Sequence, residues 1–407
     1  MERRERERRG PGWILLGLLP LLGLGVLLAL IVLNGAGVER GDLPPAEDLS
    51  VQRVSLPTEY EFVLDVRNGG RDPVTLSQVV VNDALWDFRA EPDTTIPRLG
   101  SAEVTIPYTW VEGEAYEMKL ITSTGTTFDA EVPVAVLTPG FTGETFLRYL
   151  LIGTYVGVVP VALGLLWYPF LRQLGRAGMN FVLALTVGLL AFLVIDTMEE
   201  AIEAATELPG IFSGIPLVIL VALLTLLGLL AAERLFRRGR EEASRLGTSY
   251  RISFGIGLHN FGEGLAIGAA FALGEAALGA FLVVGFTLHN ITEGVGIAAP
   301  LLREKRPSLI HFVFLALLGG GPAIIGTLIG GFAFSNLLAA VFLAVGAGAI
   351  LQVIYEVGKL LLKDSEDSAR QQGEKTPSLS ASLSASNLAG FVVGIAIMYA
   401  TGLLIAV

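Results

Sequence analysis

The sequence predicts a polytopic α-helical membrane protein, with an amino-terminal anchor helix and a small all-β sandwich domain ahead of an eight-helix bundle. Three observations carry this reading. The chain has 407 residues, of which 52% are apolar, and its mean hydropathy is +0.64, too apolar for a soluble protein of this length unless long stretches lie in lipid. Apolar runs near the ~20 residues that span a bilayer recur from Leu147 onward. Between Glu47 and Val136 the pattern instead alternates in short runs.

Taken in order, residues 1–12 are a basic tail with five arginines in the first nine positions. The apolar run 13–33 follows, an anchor helix or a signal peptide. A signal core is typically ~7 to 15 residues, so the length favours an anchor, although "LNGAG" from Leu33 would pass as a cleavage site. Residues 34–139 form the β domain, through runs such as "YEFVLDVRN", "VTLSQVVVN", "SAEVTIPYTW", "AYEMKLITS" and "TFDAEVPVAV", punctuated by Pro, Gly, Asn and Asp. Turn-bounded runs of this kind suit a sandwich, immunoglobulin-like in outline but without that fold's cysteines. The "TPG" at 138–140 reads as a hinge into the membrane.

Charge is distributed unevenly. The net charge is -11, and residues 42–139 account for all of it, with 17 Asp+Glu against 6 Lys+Arg. An acidic outer segment beside an electrically balanced membrane body disfavours nucleic acid as a partner. The β domain also lacks His and Cys, so it offers carboxylates and carbonyls, which suit calcium or magnesium better than zinc. Its sequence names no partner. The chain contains no cysteine at all, which excludes disulfides and thiolate metal sites.

Residues 140–407 carry eight spans, at 147–170, 181–204, 215–232, 252–273, 277–301, 310–334, 337–362 and 388–407. The chain's 49 glycines predict close helix packing, because small residues let membrane helices approach where no hydrophobic effect drives association. Arg and Lys fall in alternate loops, at Arg172 and Arg176, at 234–245, at 303–306 and at 359–375. By the positive-inside rule these loops are cytoplasmic. A multi-pass protein of the cell membrane results, with its amino terminus inside and its β domain and carboxyl terminus outside. The Ser-rich stretch 364–387 reads as a disordered cytoplasmic loop.

The fourth and fifth spans contain "HNFGEG" at 259–264 and "HNITEG" at 289–294, one hexapeptide repeated 30 residues on. On a helix, His and Glu at i and i+4 share a face, while Asn at i+1 sits roughly 100° round. Two such faces would offer His259, Glu263, His289 and Glu293, with Asn260 and Asn290, around one cavity. Interhelical hydrogen bonding alone explains the pair poorly. A centred acidic charge costs ~2.5 to 3.5 kcal/mol on insertion scales and normally marks an ion path.

These two spans resemble those of the ZIP family of divalent-metal transporters, whose bacterial members carry similar HN-x-x-EG motifs. The span count and outward carboxyl terminus match as well, over about 147–407. The resemblance implies an alternating-access homodimer in which one helix group slides against another. It implies a binuclear centre too, with one metal at His259, Glu263 and Glu293 and the other at Asn260, Glu263, Asn290 and Glu293. His289 is then a flexible ligand. The chain departs from the family at Gly262 and Thr292, where Pro is frequent, and at Gly321-Pro322, where a Glu-Pro is frequent, so one carboxylate is missing.

Other polar residues extend the line. Asp196, Glu199, Glu200 and Glu203 form one acidic stripe on the second span, an entrance or a solvated helix end. Gln352 and Glu356, one turn apart on the seventh span, line an exit or reach the interface beside Lys359; His311 is read as interfacial. The expected function is import of zinc, iron(II) or manganese(II) as transported substrate, with no organic cofactor, no nucleotide-binding loop and no enzymatic activity. Nitrogen and oxygen ligands exclude copper(I). An intramembrane metal-dependent hydrolase is the alternative, although H-E-x-x-H is absent and neither glutamate is spare to act as base. A receptor or adhesion role for the β domain is a third reading.

Overall fold

The computed structural model describes residues 22–27, 30, 47–208, 210–212, 214–236, 245–273, 276–303, 307–371 and 384–405. Residues 1–46 and 47–407 are two compact units. In the first, 22–27 and Leu30 are helical; the basic tail and the rest of the expected anchor lie outside the described residues.

The second unit opens with nine strands: β1 Leu49–Thr58, β2 Glu61–Asn68, β3 Val74–Val81, β4 Ala84–Trp86, β5 Arg89–Glu91, β6 Thr95–Ile96, β7 Ser101–Pro107, β8 Tyr116–Thr122 and β9 Thr127–Val132. They pair antiparallel in two sheets, β1-β2-β7-β5 and β4-β3-β8-β9, with β6 beside β3. Alternation explains the core. Phe62, Leu64 and Val66 of β2 and Ala102, Val104 and Ile106 of β7 turn inward at every second position and meet Leu76, Met118 and Leu120 of the other sheet. The β3–β4 hairpin turns at Asn82 and Asp83, both at positive φ, as a two-residue loop matched to strand twist requires. Thr138 is not a free hinge, because its backbone N–H donates to Leu56 O and its hydroxyl accepts from Leu56 N, 2.8 Å away.

The helices follow as α1 Gly143–Leu171, α2 Arg176–Thr206, α3 Gly214–Phe236, α4 Arg245–Ala272, α5 Ala276–Ala298, α6 Leu309–Ala333, α7 Asn336–Gln371 and α8 Ala385–Ile405. Among the described residues seven of these are long and apolar enough to cross a membrane. The remaining one, α4, has 28 residues and carries the first hexapeptide. The disordered loop expected at 364–387 is corrected at both ends. Residues 364–371 continue α7 and 385–387 begin α8, while 372–383 lie outside the described residues. No Pro or Gly interrupts 359–372, so nothing in the sequence stops α7 before Gly373.

Packing divides the helices into two groups. α1, α4, α5 and α6 pack on one another, α2, α3, α7 and α8 do likewise, and α4 against α7 is the largest contact between the groups. Glycine marks the difference. Within the groups helices meet backbone to backbone: a Cβ on Gly264 would lie 2.2 Å from Ala323 O, on Gly330 2.1 Å from Leu265 O, and on Gly188 2.2 Å from Phe391 O. Between groups the nearest atoms are chiefly side chains, as at Gly262, where a Cβ would lie 3.3 Å from Leu343 Cδ2.

The β domain rests on the ends of both groups. Asp48 Oδ2 accepts from Gly210 N at 2.8 Å, Arg67 lies over the Phe212 ring, and Arg53 Nη1 donates to Phe332 O at 3.4 Å. Between them is a cavity of about 850 Å³, lined by Asp48, Glu117, Asp129 and Glu131 on one side and Glu207, Leu273 and Asn336 on the other.

The backbone contacts predict opposite signs for two glycine substitutions. Gly330→Ala should destabilise the protein by about 1–3 kcal/mol through overpacking. Gly228→Ala, on α3 with nothing within 4 Å of the added methyl, should be stabilising by about 0.5–1 kcal/mol. Thermal unfolding of the detergent-solubilised variants measures both.

Candidate metal centre

Helical spacing turns each hexapeptide into a two-faced device. On α4, His259 and Glu263 stack one turn apart, with His259 Nε2 3.0 Å from Glu263 Oε1. The same carboxylate oxygen meets His289 Nε2 from α5, and Glu263 Oε2 accepts from Asn290 Nδ2 at 3.1 Å. Glu263 therefore joins the two motifs. One ligand atom each from His259, His289 and Glu293 lie within 4.8 Å of one another. None of the six motif residues exceeds 6% exposure.

The asparagines are anchored to backbone carbonyls of neighbouring helices, one of them freed by a proline. Pro160 has no N–H, so Val156 O, four residues earlier in α1, loses its helical donor. The backbone there is a π segment, Thr154–Val158, and Asn290 Nδ2 donates to Val156 O at 3.1 Å. On α6, Pro322 removes the helical donor to Leu318 O, and Asn260 Nδ2 donates to the next carbonyl along, Gly319 O, at 3.0 Å. With both amide nitrogens committed to backbone carbonyls, each Asn presents its Oδ1 as an acceptor. The closing glycines serve the same partners. A Cβ on Gly264 would strike α6, and on Gly294 would lie 2.3 Å from Val161 O of α1. In each hexapeptide His and Glu join one polar cluster, while Asn and Gly fasten the helix to a proline-containing neighbour.

The donor set suits a divalent cation. Glu293 Oε1 and Oε2, Asn260 Oδ1, Asn290 Oδ1 and His259 Nδ1 are buried without a hydrogen-bond partner. A buried acceptor left unpaired costs about 1–3 kcal/mol, more when charged, so five together call for a positive ligand. Two carboxylates would balance a divalent charge, and the remaining donors are imidazole nitrogen and amide oxygen, with no thiolate.

The departures have local explanations. Thr292 Oγ1 donates to His289 O at 2.6 Å, occupying the hydroxyl on its own helix. Nothing lies within 4 Å of a Cβ built on Gly321, so a side chain has room there.

The other candidate residues separate by position. Asp196 is solvent-accessible and lies within electrostatic range of both His289 and His259. Glu200, partly buried, lies in range of His259 and Glu263; Glu199 and Glu203 are exposed. Gln352 and Glu356 are buried on α7, and Gln352 Oε1 lies 3.3 Å from a Cβ built on Gly255 of α4. Glu356 is held by Arg251 Nη2 at 3.0 Å and Lys359 Nζ at 3.3 Å. His311 Nδ1 pairs with Tyr250 OH at 2.9 Å, away from the centre. Sequence reasoning missed Val156 and Gly319 as anchor points and Arg251 as a partner. Pro160 was the visible signal for the first.

If Pro160 creates the need that Asn290 meets, the two must be coupled. Asn290→Ala should destabilise the protein by about 1–3 kcal/mol by orphaning Val156 O. Adding Pro160→Ala restores a helical N–H and should return a measurable part of that loss in a thermal-unfolding double-mutant cycle. Additive effects would disprove the coupling.

No family model matches the chain. It is similar to zinc transporter ZIP10 of Danio rerio, 30% identical over 135 residues, which are 32% of this chain. The matched stretch spans 16% of that relative's length.

Proposed function

We propose that this multi-pass membrane protein is a secondary transporter that imports a divalent metal ion into the cytoplasm. One observation carries the reading: inside a bundle of membrane-length helices, His259, His289 and Glu293 offer ligand atoms within 4.8 Å of one another, and both Glu293 oxygens are buried without a hydrogen-bond partner. The similarity to a zinc transporter, and the doubled hexapeptide, point the same way. Zinc, iron(II) and manganese(II) fit the nitrogen and oxygen donors.

The path is read as follows. Metal enters beneath the β domain, where Glu207 lines the cavity. Glu207, Glu203, Glu200 and Asp196 recur along one face of α2 over ~16 Å, at 1.5 Å per residue, and lead to the centre. Clefts of one sign raise local counter-ion concentration. At the centre His259, Glu263, His289 and Glu293 bind the ion, with Asn260 and Asn290 contributing amide oxygens. Beyond it α4 and α7 run together past Gln352 to Glu356. The basic loops place that end in the cytoplasm. Eight spans, α1 to α8, are assigned to the transport domain. Because the groups touch each other mainly through side chains, α1, α4, α5 and α6 slide as one body past α2, α3, α7 and α8.

Uptake into proteoliposomes tests the reading. The parent should accumulate zinc or manganese(II), while Glu263→Ala and Glu293→Ala should fall to the level of empty liposomes with the fold intact. Near-parental uptake in either variant would remove that residue from the site. Metal-dependent hydrolysis without uptake would favour the enzyme alternative. Gly321→Glu, for which there is room, should raise metal stoichiometry or affinity in a binding titration.

A further inference from the structure

We propose that Arg251 and Glu356 form a latch across the boundary between the two helix groups, closing the inner end of the metal path. The inference rests on the transport reading for its purpose, and on side-chain geometry for its content.

Arg251 is eight residues before His259 on α4, so the two share a face about 12 Å apart at 1.5 Å per residue. Between them lies Gly255, where α7 closes in: a Cβ there would lie 2.6 Å from Val353 Cγ2. Nearer the metal, Gly346 of α7 abuts His259. The α4–α7 seam is therefore narrow from the metal centre inward, and Arg251 Nη2 to Glu356 Oε2, at 3.0 Å, seals its end.

The surrounding charges make this bond suited to breaking. Glu356 is 2% exposed, and a buried carboxylate stripped of its only counter-ion would be strongly disfavoured. It has a second one. Lys359, three residues on in α7, binds Glu356 Oε1 at 3.3 Å and also Glu233 Oε1 of α3 at 3.2 Å. Those partners all belong to one helix group and would travel together. Arg251 belongs to the other group. If α4 slides, Glu356 loses Arg251 but keeps Lys359, and Arg251 keeps Thr248 Oγ1 at 3.0 Å on its own helix. The arrangement defines two states, with Arg251 seated on Glu356 when the inner end is shut and released when it is open.

The chain's lack of cysteine makes the test direct, since one introduced thiol is unique. In the full-length protein with Gln352→Cys, membrane-impermeant maleimide is added to right-side-out or inside-out vesicles, and alkylation rates are compared with and without Arg251→Gln. The latch predicts slow labelling in the parent background. It predicts an acceleration of about tenfold in Arg251→Gln, from the inner face only, equivalent to ~1.4 kcal/mol of closing free energy. Exchanging the charges, Arg251→Glu with Glu356→Arg, should restore slow labelling. Arg251→Lys covers the case in which the glutamine variant does not fold, and should accelerate labelling less. A rate within twofold of the parent in the folded variant, acceleration from the outer face, or failure of the charge exchange to slow it would overturn the latch. Metal uptake is scored separately on the parent. Latch-dependent labelling in a chain that moves no metal would refute the transport reading alone.

Discussion

Two carboxylates held at the middle of an apolar bundle set the terms for the rest of this structure. Each would cost ~2.5 to 3.5 kcal/mol or more if left alone at bilayer depth. The chain treats them differently. Glu263 is compensated internally, with one oxygen between two imidazoles and the other on an asparagine amide. Glu293 has neither oxygen hydrogen-bonded. A site with one satisfied and one unsatisfied carboxylate is a poor way to stabilise a fold and a good way to bind a cation reversibly. On the proposed reading, the satisfied half would keep the helices assembled when no ion is bound, and the unsatisfied half would supply the driving force for taking one up.

That division explains what was legible in the sequence. The chemistry-bearing residues stood out because two polar hexapeptides interrupt otherwise apolar spans, and because His and Glu at i and i+4 must share a helix face. All six residues do come together. The assignment of Asn260 and Asn290 to the metal alone was incomplete, since half of each side chain serves the backbone of α6 or α1. This second role depends on which carbonyls of α1 and α6 the asparagines reach in space, which periodicity does not encode. His289 was expected as a flexible extra ligand and lies at the middle of the cluster, against Glu263. For the fold, five runs of the β domain were visible through alternation. β1, at 49–58, was not, because its inward and outward residues do not alternate: most are partly buried along its length. The edges of α4 and α7 were also misjudged, since both helices continue through charged residues that read as loop.

Glycine placement carries a further layer of information. Where a helix meets another through carbonyl oxygens, a single methyl is excluded and the pair is locked in register. Where the contact is through side chains such as Leu343 or Thr186, a shift needs only rotamer changes. The first kind of contact lies inside each helix group, the second mainly between them. The candidate metal centre is made wholly from α4 and α5, on one side of that boundary, so a sliding movement would carry the proposed ligands as a set without dismantling them.

The β domain straddles the same boundary, and its attachments are unequal. To the α2–α3 connection it is tied by Asp48, a charged acceptor 2.8 Å from Gly210 N, and by the Arg67 guanidinium over Phe212. Charge-assisted hydrogen bonds are roughly twice as strong as neutral ones. To α6 it is tied by one long bond, Arg53 to Phe332 O at 3.4 Å. The covalent connection runs to α1, but Thr138 is pinned to β1 while Phe141 packs on Phe332 of α6, 4.8 Å between ring centroids. Only Pro139 and Gly140 separate those fixed points. A relative movement of the helix groups would therefore concentrate its strain in two residues and one weak hydrogen bond. The domain would stay with α2 and α3, its acidic cavity wall remaining above the acidic face of α2, while the helices carrying the two hexapeptides moved beneath it.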